Sequence, residues 1–296
     1  MPPERFADQA AGLRRLRLRA TAQVITVVAA RAGMGTSSIV VNLSAALADS
    51  GLNVLVLDEN LSHDNVSNML ALKPRFDLLH AVRRDKLLHE VLLHRTENVR
   101  VLPAARAIQA LPSLTAPEHG YLLECLAQAS RGIDIVLVDA AADQERCISS
   151  GMTASQPMML VLNPSASAIT ESYAMLKRMS LQDGRLCVGV VVNKVRDEQE
   201  ARTIFSNMAQ VASQYLQVSV KYLGHIPLDE KLKRATQLCC PVAEAFAEAS
   251  SVRAFDQLGR NLMLLPAASS GEAGGLPEVV RGLMRQARLP RAAYAS

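Results

Sequence analysis

The strongest constraint on this chain is a β-branched run, Gln23–Ala29, that leads directly into Arg31-Ala32-Gly33-Met34-Gly35-Thr36-Ser37-Ser38. A continuous apolar run of this kind reads as a strand buried on both faces. After the loop, Ser37–Asp49 carries an apolar stripe at helical spacing through Ile39, Val40, Leu43, Ala46 and Leu47, and Gly51 stops it. Strand, tight glycine turn and helix in that order aim backbone N–H groups and a helix N-terminus at one point, which makes an anion cradle. In the pattern G-x-x-x-x-G-K-[ST], the lysine reaches the terminal phosphates and the hydroxyl holds Mg²⁺. Here Gly33 and Gly35 keep the turn tight, Ser37 stands at the Mg²⁺ position and Thr36 stands where the lysine would be. The dinucleotide pattern G-x-G-x-x-G fails at Ser38, where its third glycine belongs. Glycine turns between strand and helix occur in many folds, so the loop alone implies an anion cradle and no particular guest.

The rest of the chain repeats the strand-then-helix unit. Strands are expected at Asn53–Leu57 (ending at Asp58), Val99–Leu102, Ile133–Val138 (ending at Asp139), Met158–Leu162, Cys187–Val192 and Val218–Leu223. Thr115 with Glu118 has the form of a capping box opening a helix that runs to Ser130. Further helices fit 168–180, 197–214 and 253–263. Alternation of this kind implies an α/β fold: a doubly wound, mostly parallel sheet with helices on both faces. The expected organisation is an N-terminal arm at 1–20, a domain at 21–265, a flexible Ala/Ser/Gly linker at 266–275 and a C-terminal amphipathic helix within 276–296.

Charge separates the arms from the domain. Residues 1–20 carry five Arg against Glu4 and Asp8, and 266–296 carry four Arg against Glu272 and Glu278. With a total of +4, the middle is left at −1. This disfavours a broadly basic nucleic-acid surface, and scarce aromatics with no Trp disfavour base stacking. The five Cys (Cys125, Cys147, Cys187, Cys239, Cys240) show no metal-ligand spacing and read as reduced, buried thiols. Residues 1–20 lack the apolar core of a signal peptide and no run reaches the length of a spanning helix, so a cytoplasmic location is expected. No His forms an HxxxH or acid-paired motif, and His225 is expected at the surface. Asp143, Glu145 and Arg146 follow Asp139 in a segment that is either switch-like or a solvated turn, and Arg83-Arg84-Asp85-Lys86 reads as a solvated helix face.

Several ordered motifs then carry a resemblance. The loop 31–38 stands where K-G-G-x-G-K-[ST]-[ST] is expected, and Leu57-Asp58-Glu59-Asn60-Leu61-Ser62-His63-Asp64-Asn65 lines up with L-D-A-D-L-G-L-A-N. Asn163-Pro164-Ser165-Ala166-Ser167-Ala168-Ile169-Thr170-Glu171-Ser172-Tyr173 is similar to T-P-E-P-T-A-I-T-D-A-Y. Val191-Val192-Asn193-Lys194-Val195-Arg196 is similar to V-N-x-V-R, and Tyr222-Leu223-Gly224-His225-Ile226-Pro227 to Y-L-G-x-[IV]-P. Together these resemble the MinD/ParA group of deviant P-loop ATPases. Within that group, Asp8-Gln9-Ala10 with Leu13-Arg14 resembles the D-Q-A-x-x-L-R arm of the FlhG branch of flagellar number regulators, also called FleN or YlxH. The resemblance covers roughly residues 6–265.

The resemblance implies ATP or ADP with Mg²⁺ as ligands. Arg31, Gly33, Met34, Gly35, Thr36, Ser37 and Ser38 would surround the phosphates. Ser37 would ligate Mg²⁺, with Asp58 and Asp139 holding it through water. Asn193 would meet the adenine, with Pro227 close to the base. It also implies a homodimer closed around nucleotide, an FlhF-like GTPase engaged by Asp8, Gln9, Leu13 and Arg14, and a flagellar transcription activator as a further partner. Three departures bear on the chemistry. The lysine that crosses the dimer is Arg31, the P-loop lysine is Thr36, and the water-positioning aspartate is Asn60. Phosphoryl transfer depends on positioning and charge stabilisation, and losing one such group costs about 10²–10³ in rate. Hydrolysis at Asn60 and Asp58 is therefore expected to be low or absent. A DNA-acting ParA-type ATPase and a nucleotide-independent pseudo-ATPase scaffold are the rival expectations.

In the C-terminal segment Leu276, Val279, Val280, Leu283, Met284 and Ala287 share one face, and Arg281, Arg285 and Arg288 the other. Pro277 suits a first turn, while Gly282 weakens the helix. An apolar face backed by arginines after a linker is the pattern of an interfacial membrane helix. Peripheral contact with the inner membrane is expected, with docking on its own domain as the alternative.

Overall fold

The run at the N-terminus of the domain forms β1 (Gln23–Val28), every residue of which is buried. Alternation along it feeds both faces of one sheet: Ile25 and Val27 enter one apolar cluster, Val24 and Val28 enter two clusters on the other side. The structure, a computed structural model, describes residues 22–140, 157–183, 187–216, 218–265 and 275–287. The N-terminal arm with Asp8, Gln9, Leu13 and Arg14, the linker, and the segment with Asp143, Glu145 and Arg146 lie outside the described residues.

Among the described residues the sheet has eight strands: β2 (Val54–Asp58), β3 (Leu93–His94), β4 (Val99–Pro103), β5 (Ile135–Asp139), β6 (Met158–Leu162), β7 (Cys187–Val195) and β8 (Ser219–Pro227) join β1. Their order is β3-β4-β2-β5-β1-β6-β7-β8, and only the β3–β4 pair is antiparallel. The doubly wound, mostly parallel α/β fold is therefore the observed one. β1 lies between β5 and β6, and β5 lies between β1 and β2. That order sets Asp58 directly opposite Asp139 across adjacent strand ends, beside the loop that leaves β1.

Helices cover both faces. On one side α1 (Thr36–Asp49) packs with the helix Ser250–Leu262, whose Phe255, Leu258 and Leu262 share its cluster. On the other lie the helices Ala116–Ala129, Ala166–Asp183 and Glu198–Tyr215. The capping box forms as expected: Glu118 Oε2 accepts from the Thr115 N–H at 2.7 Å, and the helix ends at Ser130. The segment Arg83–Lys86 is a turn rather than a helix face, with Arg84 at φ 64° stacked over Tyr121. Cys125 is buried, whereas Cys239 and Cys240 are only half-buried. His225 is half-buried, with Nδ1 3.2 Å from the Tyr222 hydroxyl.

The C-terminal helix, Leu276–Ala287, departs from the lipid-facing expectation. Leu276, Val279 and Val280 are buried in one cluster with Leu111, Leu122, Cys125 and Leu126, and Met284 is packed against it. Arg281 is exposed. The face expected to meet a membrane through Val279, Val280 and Met284 thus covers the domain's own helix Ala116–Ala129. The physical reason is simple: an apolar stripe gains about 1.5–3 kcal/mol per buried side chain against any apolar surface within reach. No helix among the described residues is long and apolar enough to cross a membrane.

Burial and the nearby Glu124 push the Cys125 thiol up to about 11. At pH 8 it should therefore resist iodoacetamide in the intact chain. Val280→Asp places an unpaired carboxylate in the docked face, which costs more than the contact returns. The helix should leave, and alkylation of Cys125, read by peptide mass spectrometry, should rise with helical content largely retained. Unchanged labelling would contradict the docked arrangement.

Candidate functional site

The loop between β1 and α1 is held open by two left-handed glycines, Gly33 at φ 79° and Gly35 at φ 98°. Gly35 is the N-cap of α1 and no side chain caps the helix. Its first-turn amides therefore face the loop without a side-chain acceptor, which is the arrangement that takes an anion. A Cβ on Gly33 would meet nothing within 4 Å. A Cβ on Gly35 would collide with Nδ2 of Asn193.

That close approach has a purpose. Asn193, buried near the end of β7, donates through Nδ2 to the Met34 carbonyl at 2.8 Å. It ties the loop to a strand two places away in the sheet. Lys194, at φ 59°, extends Nζ to 3.3 Å from the Gly33 carbonyl. Arg31 lies 3.7 Å from Glu171 Oε1 with its side chain 44% exposed, so it is only loosely held. Pro227 closes β8 in register with Val195.

The other end of the site is acidic. Ser37 Oγ donates to Asp139 Oδ2 at 2.6 Å. Asn60 Nδ2 donates to Ser37 Oγ at 3.1 Å. Asn60 Oδ1 accepts from the Ser62 N–H at 2.9 Å, which fixes the orientation of the amide. Asp58 Oδ1 accepts from the Asn60 N–H at 3.2 Å, and its Oδ2 accepts from the Ser67 N–H and hydroxyl at 3.2 and 3.0 Å. Asp58, Glu59 and Asp139 are all buried, at 3%, 4% and 0% exposure. Burial first, then the charge of Asp58, holds the Asp139 carboxyl well above the usual range, against the lowering effect of Ser37. Burial also raises Asp58, opposed by its bonds to Ser67 and Asn60.

These residues fit Mg²⁺. Asp139 Oδ1 is buried with no hydrogen-bond partner, beside a hydroxyl and a second carboxylate. Hard oxygen donors of this kind suit a cation that keeps several waters and shares phosphate oxygens. No group of three or more His, Cys, Asp or Glu among the described residues could hold a metal by itself. A bound Mg²⁺ would supply charge neutralisation to an anion held on the loop.

The structure thus gathers Arg31 through Ser38, Asp58, Asn60, Asp139 and Asn193 around one loop, with Pro227 at the same edge of the sheet. Sequence reasoning missed Glu59, Ser67, Glu171 and Lys194. Lys194 was within reach, since it follows Asn193 in the same motif. Glu171 also stands in a quoted motif, but its contact with Arg31 joins segments that follow two neighbouring strands, and no local pattern announces Ser67, nine residues beyond Asp58.

Residues 25–238 match the CobQ/CobB/MinD/ParA nucleotide binding domain. The chain is 32% identical over 240 residues to the antiactivator FleN of Pseudomonas aeruginosa, covering 81% of this chain and 86% of that protein. It is 25% identical to the flagellum site-determining protein YlxH of Helicobacter pylori, covering 71% of each. Among solved structures it resembles the MinD cell division protein of Aquifex aeolicus, with a TM-score of 0.61 and 20% identity over 84% of this chain and all of that one. It also resembles MinD from Pyrococcus horikoshii complexed with Mg-ADP, with a TM-score of 0.62 and 21% identity over 82% of this chain and 97% of that one.

Gly35→Ala tests the brace. A left-handed φ on a non-glycine residue costs about 1–3 kcal/mol, and the collision with Asn193 adds to it. The expected readout is a Tm lowered by roughly 2–10 °C together with loss of anion binding at the loop. An unchanged Tm would mean that Asn193 does not hold the loop closely.

Proposed function

The chain belongs to the CobQ/CobB/MinD/ParA nucleotide-binding family, and we propose that it is a nucleotide-dependent regulator of flagellar number or placement of the FleN/YlxH kind. The observation that carries this reading is the 32% identity with FleN over four-fifths of the chain, joined to a loop that retains its anion-binding backbone. In this reading ATP or ADP lies on Gly33–Ser38, with Mg²⁺ on Ser37 and, through water, on Asp58 and Asp139. Asn193 spends Nδ2 on Met34, so an adenine amino group would meet its Oδ1. Pro227 would border the base.

The site is built for holding nucleotide rather than cleaving it. Thr36 brings no ammonium to the terminal phosphates and Asn60 brings no carboxylate to an attacking water. Nucleotide then acts as a signal. Its arrival drives two copies together, with Arg31 reaching the partner's phosphates. The arm with Asp8, Gln9, Leu13 and Arg14 engages an FlhF-like GTPase, and a flagellar transcription activator is the second target. A membrane role for Val279, Val280, Leu283, Met284, Arg281 and Arg285 would require the C-terminal helix to leave its docked position.

Calorimetry should show ATP and ADP binding in Mg²⁺, lost in Gly35→Ala. Phosphate release should stay at background in the native chain and rise about 10²-fold in Thr36→Lys/Asn60→Asp. Absence of binding would leave a scaffold that needs no nucleotide. Native turnover equal to that of the double variant would refute the non-hydrolysing reading. In cells, deletion should change the number or placement of flagella, and Gly35→Ala should fail to restore it. Replacing Gln9 by Ala should abolish stimulation of the GTPase partner and leave most binding intact, because an amide can orient an attacking water; unaltered stimulation would remove that role.

A further inference from the structure

The side chain at position 60 is wired in a way that a missing carboxylate does not explain. Asn60 donates through Nδ2 to Ser37 Oγ, the oxygen that a Mg²⁺ ion would use. The amide cannot turn round without losing the Ser62 N–H that its Oδ1 accepts. Ser37 in turn donates its only proton to Asp139 Oδ2 at 2.6 Å. The Ser37 oxygen is therefore approached by a partial positive charge from Asn60 while its proton is spent on Asp139. One of the hydroxyl's two acceptor lone pairs is thus taken before any metal arrives, and the amide's partial positive charge stands beside the other. Beside it, Asp139 Oδ1 stays fully buried and without a hydrogen-bond partner, so the place a cation would fill is only partly compensated.

We propose that Asn60 is a latch whose amide and a Mg²⁺ ion exclude each other at Ser37 Oγ. With Mg²⁺ held at Ser37 Oγ, the Asn60 amide would give up its bond there and release the segment it holds. The connections make this segment definite. Asn60 fixes Ser62 through Oδ1 and rests its own N–H on Asp58 Oδ1. Asp58 Oδ2 holds the N–H and hydroxyl of Ser67 at the far end. Between these anchors, Leu61 is 56% exposed, and His63 and Asp64 are exposed as well. An aspartate at position 60 could not donate to Ser37 and would instead add an anion beside Asp58 and Asp139. The latch is thus a property of the amide. Asn60 is a positioning residue acting through Ser37, and the idea rests on the nucleotide-binding reading above.

The test compares the native chain with Asn60→Ala and Asn60→Asp, using ADP in Mg²⁺ and ADP in EDTA, by calorimetry and hydrogen exchange. Asn60→Ala removes the donor without adding charge. It should tighten ADP binding in Mg²⁺ by about three- to tenfold, the range of one net hydrogen bond, and leave binding in EDTA unchanged. Asn60→Asp should tighten it further. Exchange at the Ser62 amide should quicken in the native chain when Mg²⁺ and ADP are added, and should already be fast in Asn60→Ala. Equal or weaker Mg²⁺-dependent binding by Asn60→Ala, or slower Ser62 exchange on addition of Mg²⁺ and ADP, would overturn the latch. If the native chain binds no ADP in either buffer, the nucleotide reading fails separately. Mn²⁺ alone, followed by electron paramagnetic resonance, then decides the latch: Asn60→Ala should hold Mn²⁺ more tightly than the native chain, and equal retention would refute it.

Discussion

One hydrogen bond organises the site: Ser37 Oγ to Asp139 Oδ2, at 2.6 Å, with the carboxylate wholly out of water. A buried carboxylate is costly unless something compensates its charge. In the usual loop a lysine would stand one residue before the hydroxyl, and here that residue is Thr36. The burden falls on what remains: the Ser37 proton, the neighbouring strand end with Asp58, and whatever cation the site receives. The raised affinity of Asp139 for its proton expresses the same imbalance, with burial as its largest cause. Arg31 and Lys194 do not cancel it. One leans toward Glu171 and the other reaches the Gly33 carbonyl.

This shifts the expected work of the fold from chemistry to holding. The parts that grip an anion are backbone parts: two left-handed glycines, an uncapped helix start and a loop braced by Asn193. Substitution at Arg31, Thr36 and Asn60 leaves all of them in place. The parts that would push a phosphoryl group to water are side chains, and those are the ones that differ. A chain with this division suits a regulator whose output is assembly or contact with partners. Its relatives FleN and YlxH carry the names of an antiactivator and a flagellum site-determining protein.

The fold was legible because the buried strands are β-branched and continuous, and β1, β2, β5 and β6 stand within a residue or two of their expected bounds. β7 and β8 run three and four residues further than expected, to Val195 and Pro227. There Asn193-Lys194 and Gly224-His225 interrupt the apolar pattern without ending the pairing. Short helices such as Leu78–Val82 were invisible because four or five residues carry no period, and a local cap, Asp77, defines this one. In the site, the motif residues could be read, but their couplings could not. Ser67 under Asp58 and Glu171 against Arg31 exist only once the sheet is built. The C-terminal stripe is legible from its spacing, yet periodicity does not say what covers it. The domain's own helix does so for Leu276, Val279 and Val280.

On the proposed function, a loop without its lysines still takes nucleotide and uses it as a lasting signal. Light scattering on the full chain, 31.9 kDa as a monomer, measures this directly with and without ATP and Mg²⁺. The mass should double on addition of ATP and Mg²⁺ and stay doubled, because the nucleotide is not cleaved. A mass that stays the same with ATP as without it, or a dimer that decays as phosphate appears, would contradict it.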